Sequence, residues 1–474
     1  MIDLKDFPEN TSQLIEWIKQ YYQNITSYPV KSQVKPKEIY NQLPEKAPQD
    51  SESFEAIMAD FEKIILPGIT HWQHPNFHAY FPANTSFESI LGEILTASLG
   101  IQGMIWETSP AATELEEKIM EWLRDSLGLP SQFQGVIQDS ASSATLVAIL
   151  TAREIKTNFE SNENGVPPNL RVYCSSQVHS SVEKGVKIAG IGRKNLVKIA
   201  VNEKMQLKAA DLEKAIQEDI NNGFNPCCVV AAVGTTGTLA IDPIKEIAEI
   251  CRKYKIWLHI DAAYAGSALI LPEYRWMIEG IEKADSFVFN PHKWLFTNFD
   301  CSAYFIKNSK SLIKTFDILP EYLKTGSRGL VNDYRDWQVS LGRRFRALKL
   351  WFVIRSFGIK GLQQQLRNHI QLSKELANTV DQHPDFELIM PPFLNMFCFR
   401  WRPSGFPEVE ELNSMNKDLM DNLNKSGEIY LTHTKVNGQL VLRFVIGQTY
   451  VKKEHLDNAW AMILKEAEKL KVKS

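Results

Sequence analysis

No uninterrupted apolar run in this 474-residue chain is long enough to cross a bilayer. The opening stretch, MIDLKDFPENTSQLIEWIKQ, lacks a basic segment followed by an apolar one, so no secretory signal is expected. Six cysteines, at 174, 227, 228, 251, 301 and 398, form neither a CxxC pair nor a regular framework. Lying mostly in apolar, strand-like runs, they read as buried reduced thiols of a cytoplasmic protein. Excess positive charge is also missing: 53 Lys and Arg stand against 56 Asp and Glu, a net charge of −3. Neither a nucleic acid nor an acidic membrane surface is therefore expected as a partner. His71, His74 and His78 have the spacing of ligands on a helix face, but Pro75 breaks such a helix and no carboxylate motif accompanies them, so no metal is expected. There is no internal repeat and no low-complexity tract.

What is present is the length for two or three lobes and the composition of a globular protein, 44% hydrophobic and 23% charged. Residues 12–22 and 54–65 show helix-period apolar positions. The proline-rich stretch between them cannot build a core of its own and should drape over another surface, such as a second subunit. From about 85 to 350, short β-branched runs alternate with amphipathic helices: GVIQ, RVYCSS, LVKIAV, CCVVAAVG, IWLHIDAAY, SFVFN and SAYFIK. That alternation predicts an α/β fold with a mostly parallel central sheet. After a long helix near 341–357, the strands FELIM, FCFRW and LVLRFVIG predict a small C-terminal α+β domain. The expected division is 1–84, an N-terminal helical segment packing across a dimer; 85–357, a large cofactor-binding domain; and 358–474, the small domain.

Ligands of such sheets bind at the carboxyl ends of the strands, where the candidate chemical residues cluster. Lys293, in SFVFNPHKWLF, sits between two apolar runs. Burial would disfavour its charged form and make it the nucleophile that condensation with an aldehyde requires. Asp261 ends WLHID among small residues; it suits a carboxylate that keeps a pyridine nitrogen protonated, or equally a turn or capping aspartate. DSASSAT (139–145) places hydroxyls and bare amides at a helix start, where an anion or a plain N-cap would fit, although it matches neither a Walker loop nor GxGxxG. GTTGT (234–238) adds hydroxyls near the same edge, and His179 follows RVYCSS, where an imidazole could stack on a flat ring or simply pack. The order of these features, rather than any one of them, is the layout a pyridoxal-phosphate (PLP) fold needs.

The segments HPNFHAYFPA, DSASSATLVA, QVHSSVEKG, WLHIDAAYAGSA, ADSFVFNPHKWL and LGRRFRALKLW make the chain resemble the group II PLP-dependent amino-acid decarboxylases, the aromatic-L-amino-acid decarboxylase family. The resemblance runs from about 70 to 357. It implies fold type I, like the aspartate aminotransferases, a homodimer, and conversion of an aromatic L-amino acid to its amine and CO2. It further implies that Lys293 carries the cofactor, Asp261 pairs with the ring nitrogen, Ala263 packs against the ring and His179 stacks on its other face. Ser140, Ala141, Ser142, Asn290 and His292 would hold the phosphate, with Thr236 helping to seat the cofactor. Tyr322 matches the family's mobile-loop tyrosine, the implied proton donor to Cα. Trp72, Tyr80, Phe81 and Pro82 resemble the aromatic side-chain pocket; Gln102 and Met104 of the partner chain would edge it, and Gly342 bears on substrate choice.

The alternative under the same resemblance is an aromatic aldehyde synthase, which decarboxylates and oxidatively deaminates with O2. Members of that kind replace the loop tyrosine with phenylalanine or the stacking histidine with asparagine; here Tyr322 and His179 are both present. A non-catalytic protein of this fold would have lost Lys293, Asp261 or Tyr322, and none is lost.

Overall fold

A computed structural model describes residues 3–318, 330–405 and 408–473. The chain forms two compact units: Ala83–Lys374 with Met390–Phe397, and Met1–Pro82 with Glu375–Ile389 and Cys398–Ser474.

The first unit is built on seven strands: β1 (Gln134–Gln138), β2 (Leu170–Ser175), β3 (Leu196–Ile199), β4 (Asn225–Ala232), β5 (Trp257–Asp261), β6 (Ser286–Phe289) and β7 (Ser302–Ile306). Their order across the sheet is β1-β7-β6-β5-β4-β2-β3. The five from β6 to β3 run parallel, while β7 is antiparallel to both β6 and β1. Strands β4, β5 and β6 are buried almost throughout, as expected of parallel strands covered on both faces. The helix Ala141–Lys156 is one such cover. Its buried face is made of small and β-branched residues, including Ala144, Ala148, Ala152 and Val147, which let it lie close to the strands. The helix Ile244–Tyr254 buries Ile244, Ile247, Ala248 and Cys251, an i, i+3, i+4, i+7 stripe. The long helix Arg346–Asp381 is interrupted at Gly358, whose φ of 63° is left-handed. All six cysteines are buried, and none is in a disulfide.

The second unit holds most of a four-stranded sheet, in the order β10-β11-β9-β8, formed by β8 (Phe386–Phe393), β9 (Met396–Trp401), β10 (Thr432–Val436) and β11 (Gln439–Val445). The N-terminal segment is part of this unit. Val30, Phe77 and Ala79 share a small buried cluster, and the Val30 N–H donates to the Gly427 carbonyl at 2.6 Å. Among the described residues no helix is long and apolar enough to cross a membrane.

Candidate active site

The parallel strands β4, β5 and β6 end side by side, with Ala232 opposite Asp261 and Asp261 opposite Val288. Because β7 runs the other way, its first residues return to that same rim. Asp261 is the last residue of β5 and is 6% exposed. One carboxylate oxygen accepts the Ala263 N–H at 3.0 Å, which fixes the side chain at the strand end. The next turn is tight: a Cβ on Gly266 would collide with that of Phe289 on β6, so only glycine lets the DAAYAG segment pack there.

Lys293 lies in the short helical turn Pro291–Trp294 that follows β6. Its N–H donates to the Asn290 carbonyl at 2.9 Å, and Asn84 donates its amide to the Lys293 carbonyl at 2.8 Å. Burial lowers the pKa of the Lys293 ammonium, and the charge of Asp261 opposes that shift only in part. His179 stands in the turn after β2, where Nδ1 accepts the Ser181 N–H at 3.2 Å. Desolvation lowers its pKa; the Asp261 charge acts against this and the Lys293 charge with it. Asp261 thus lies close enough to both Lys293 and His179 for its charge to act on the protonation of each.

Asn290 and His292 flank this lysine. The Asn290 N–H donates to the Ala263 carbonyl at 3.0 Å, and its side-chain oxygen accepts from the Ser302 hydroxyl at 2.7 Å. His292 accepts the Cys301 N–H at Nδ1, 2.9 Å away. Burial holds its pKa down near 3, so it is a neutral imidazole. Ser140 caps the helix Ala141–Lys156 through the Ser143 N–H at 3.2 Å; Ala141 is buried and Ser142 is exposed. Thr236 is exposed in the turn beyond β4. An amine with its charge suppressed, a carboxylate held at a strand end, and a hydroxyl-rich helix start form a donor set that fits pyridoxal phosphate.

The residues expected to bind substrate fall in both units. Trp72 and Tyr80 stack with ring centroids 5.9 Å apart, Phe81 lies beneath the Arg443 guanidinium, and Pro82 is buried. In the other unit the Gln102 side chain accepts the Arg343 N–H at 2.6 Å, and the Met104 carbonyl accepts the Arg335 N–H at 2.9 Å. Gly342 shares a cleft of about 220 Å³ with Asp139 and Ser143 at the capped helix start. Tyr322 lies outside the described residues. The three histidines of the discarded metal reading do not share a helix. His71 bonds the Tyr21 hydroxyl at 2.8 Å, His74 the Asn76 N–H at 2.9 Å and His78 the Val445 carbonyl at 2.9 Å. Among the described residues no cluster of three or more His, Cys, Asp or Glu could hold a metal.

Sequence reasoning missed the layer beneath. His259, two residues before Asp261 on the same face of β5, is fully buried, and burial depresses its pKa to about 4. Its Nδ1 lies 2.9 Å from the Ser286 hydroxyl, which also accepts the Trp257 indole N–H at 3.1 Å; Thr145 closes the chain at Nε2, 3.4 Å away. The period-two spacing in WLHID was the available signal for His259. Asn84 had none.

Comparison with known proteins points to the same cofactor. Residues 36–402 match the pyridoxal-dependent decarboxylase conserved domain. The chain is 42% identical to phenylacetaldehyde synthase of Arabidopsis thaliana, over 98% of this chain and 96% of that one. It is 40% identical to tyrosine decarboxylase 4 of Petroselinum crispum, over 99% and 94%. Among solved structures it is similar to Oryza sativa TDC with PLP and tryptamine, with a TM-score of 0.96 and 35% identity over 99% of both chains.

Proposed function

The chain belongs to the pyridoxal-dependent decarboxylase family, and from that premise we propose that it converts an aromatic L-amino acid to the corresponding arylalkylamine and CO2. It is a PLP-dependent carboxy-lyase of fold type I. The observation that carries the proposal is the trio Lys293, Asp261 and His179, gathered at the carboxyl edge of the sheet, where the Asp261 charge bears on both the lysine and the imidazole.

When bound, pyridoxal phosphate supplies an electron-poor ring that takes up the electron pair left as the carboxyl group departs. Lys293, its charged form disfavoured, is the amine that anchors the cofactor aldehyde. Asp261 keeps a proton on the ring nitrogen, and Ala263 packs against the ring. Ser140, Ala141, Ser142, Asn290 and His292 hold the phosphate, helped by the amino end of the helix Ala141–Lys156; Thr236 helps to seat the ring. His179, a neutral imidazole with Nε2 carrying its proton, would stack on the bound ring. Tyr322 delivers the proton to Cα.

Trp72, Tyr80, Phe81 and Pro82 are the proposed side-chain pocket, with Gln102 and Met104 supplied at its edge by the partner chain and Gly342 bearing on substrate choice. The similarity to a tyrosine decarboxylase, and to a structure holding tryptamine, supports an aromatic ring there. The chain acts as a homodimer in the cytoplasm. Support for the dimer comes from the helix Phe87–Leu99, which leaves Phe87, Leu91, Ile94, Leu95 and Leu99 exposed along one face.

The test is CO2 release from tryptophan, 5-hydroxytryptophan, tyrosine, dopa and phenylalanine, with glutamate alongside. Turnover of at least one aromatic substrate far above glutamate is expected; preference for glutamate would sink the proposal. The second reading, an aldehyde synthase, is favoured by the 42% identity to phenylacetaldehyde synthase. Tyr322 and His179 weigh for the amine product, and hydrogen peroxide and ammonia released in step with CO2 would reverse that.

A further inference from the structure

The amino ends of the parallel strands open on a different feature. Cys227 of β4, Trp257 of β5 and Asp285 just before β6 line a cleft of about 580 Å³. That size suits a small ligand. β5 separates it from Asp261: Trp257 and Asp261 are the two ends of this five-residue strand, about 13 Å apart at the usual rise.

Five cations line this cleft: Lys156, Arg252, Lys255, Lys283 and Lys307. The only carboxylate in its lining is Asp285, which accepts the Leu258 N–H at 2.8 Å and whose pKa burial raises to about 6. Lys283 is paired with Glu249. Among the described residues, the other four make no ion pair. Lys156 donates to the Lys255 carbonyl, at 3.5 Å; Lys307 donates to the Glu282 carbonyl, at 2.5 Å, and lies over the Phe133 ring. Burial lowers the pKa of both ammonium groups, and for Lys307 the charges of Asp285 and Glu282 offset that shift only in part.

Capping of helix ends does not absorb this charge. The helices Ala141–Lys156 and Ile244–Tyr254 both finish here, and each carboxyl end carries roughly half a negative charge. Together with Asp285 they balance about half of the four unpaired cations, leaving an excess of about two positive charges. The floor, formed by Ala152, Cys227 and Cys251, is apolar and buried, which concentrates the field on whatever enters.

We propose that this cleft is a binding site for a compact anion carrying two or more negative charges, of the phosphate-ester or polycarboxylate class, separate from the cofactor's phosphate site. Lys156 and Lys307 grip it from the walls, and Arg252 and Lys255 close on it from the exposed rim.

The test uses the cofactor-loaded enzyme, in which the other phosphate site is filled, titrated calorimetrically with inorganic pyrophosphate and separately with citrate at low ionic strength. One saturable site per chain is expected for at least one of them, weakening as NaCl is added. Tighter binding of pyrophosphate identifies the phosphate class; tighter citrate, the polycarboxylate class. The exposed double variant R252Q/K255Q should bind at least 10-fold more weakly while turning over substrate at the parent rate. Lys253, which pairs with Glu213 outside the cleft, supplies the control K253Q, expected to bind like the parent. Heats no different from NaCl at matched ionic strength would overturn the proposal. So would parent-like affinity in the double variant, or a loss in K253Q as large as in the double variant.

Discussion

The backbone N–H of Ser181 donates to Nδ1 of His179 across 3.2 Å, and the Ser181 hydroxyl lies 2.9 Å from the same nitrogen. A main-chain amide can only donate, so Nδ1 must accept and the neutral ring carries its proton on Nε2. With the ring's pKa lowered by desolvation, this form persists on the acid side of the ordinary histidine range. The pH profile of kcat/KM should therefore stay flat down through pH 6.5 and fall only below it. His179→Asn should remove that acid limb and slow amine formation about 100-fold or more. A limb that survives the substitution would show that another group titrates.

Lys293→Ala removes the one amine placed to hold the cofactor aldehyde. The purified variant should lose the visible colour of the parent and form amine only at background rate, while keeping the parent's far-ultraviolet circular dichroism. A coloured, active variant would mean that a different lysine anchors the cofactor.

At Gly342 an added Cβ would sit 3.4 Å from the Gln102 amide nitrogen, with no other atom but Gln102 Oε1 within 4 Å. The contact is with the far end of a flexible side chain, so Gly342→Ala should leave thermal stability within about 0.5 kcal/mol of the parent. The relative kcat/KM for tryptophan and phenylalanine should change by roughly 10-fold, the scale of one methylene in a pocket. Unchanged selectivity across the aromatic panel would remove Gly342 from the substrate site.

Arg343 is nearly fully buried and spans four partners: Glu116 at 2.6 Å, the Ile137 carbonyl at 2.9 Å, Gln338 at 3.1 Å and the Gly103 carbonyl at 3.4 Å. Arg343→Ala strands the Glu116 carboxylate in the interior, a loss of about 3–5 kcal/mol. Unfolding in denaturant measures it, and Arg343→Ala combined with Glu116→Ala should recover part of the loss.

Acid should unfold the protein early. Burial holds His74, His259 and His369 near pKa 4, and His78 and His292 near 3. Each is neutral when folded and gains a proton when unfolded as pH drops below 6.5, so stability falls by about 1.4 kcal/mol per pH unit for each. Asp242 and Asp285, raised to about 6, act in the opposite sense between pH 4 and 6, but the imidazoles outnumber them. Melting temperature should drop steeply between pH 6.5 and 4; a flat curve there would contradict these burials.

Much of the site could be read from the chain because strand ends announce themselves. β-branched runs stop at Asp261, and a short polar break between apolar segments isolates Lys293, so local composition marks both. What could not be read depends on contacts distant in sequence. Asn84 reaches the Lys293 carbonyl from 209 residues away, and nothing in FPANTS signals it. The position of β7 between β1 and β6 is likewise invisible, since hydrophobic pattern records that a strand exists but not which neighbour it takes. Residues 1–84 were expected to form a separate segment lacking its own core. The bonds that residues near its end make to a C-terminal strand, as His78 to Val445 of β11, arise from pairing that no local window contains.

The reversal of β7 has a practical outcome for protein engineers. The stretch from Asn290 to Ser302 leaves and rejoins a single border of the scaffold, and the hydroxyl–amide bond between those two residues clasps it shut. Such a piece can be exchanged for its counterpart from a relative without rethreading any neighbouring strand. It is a natural cassette for building chimeras.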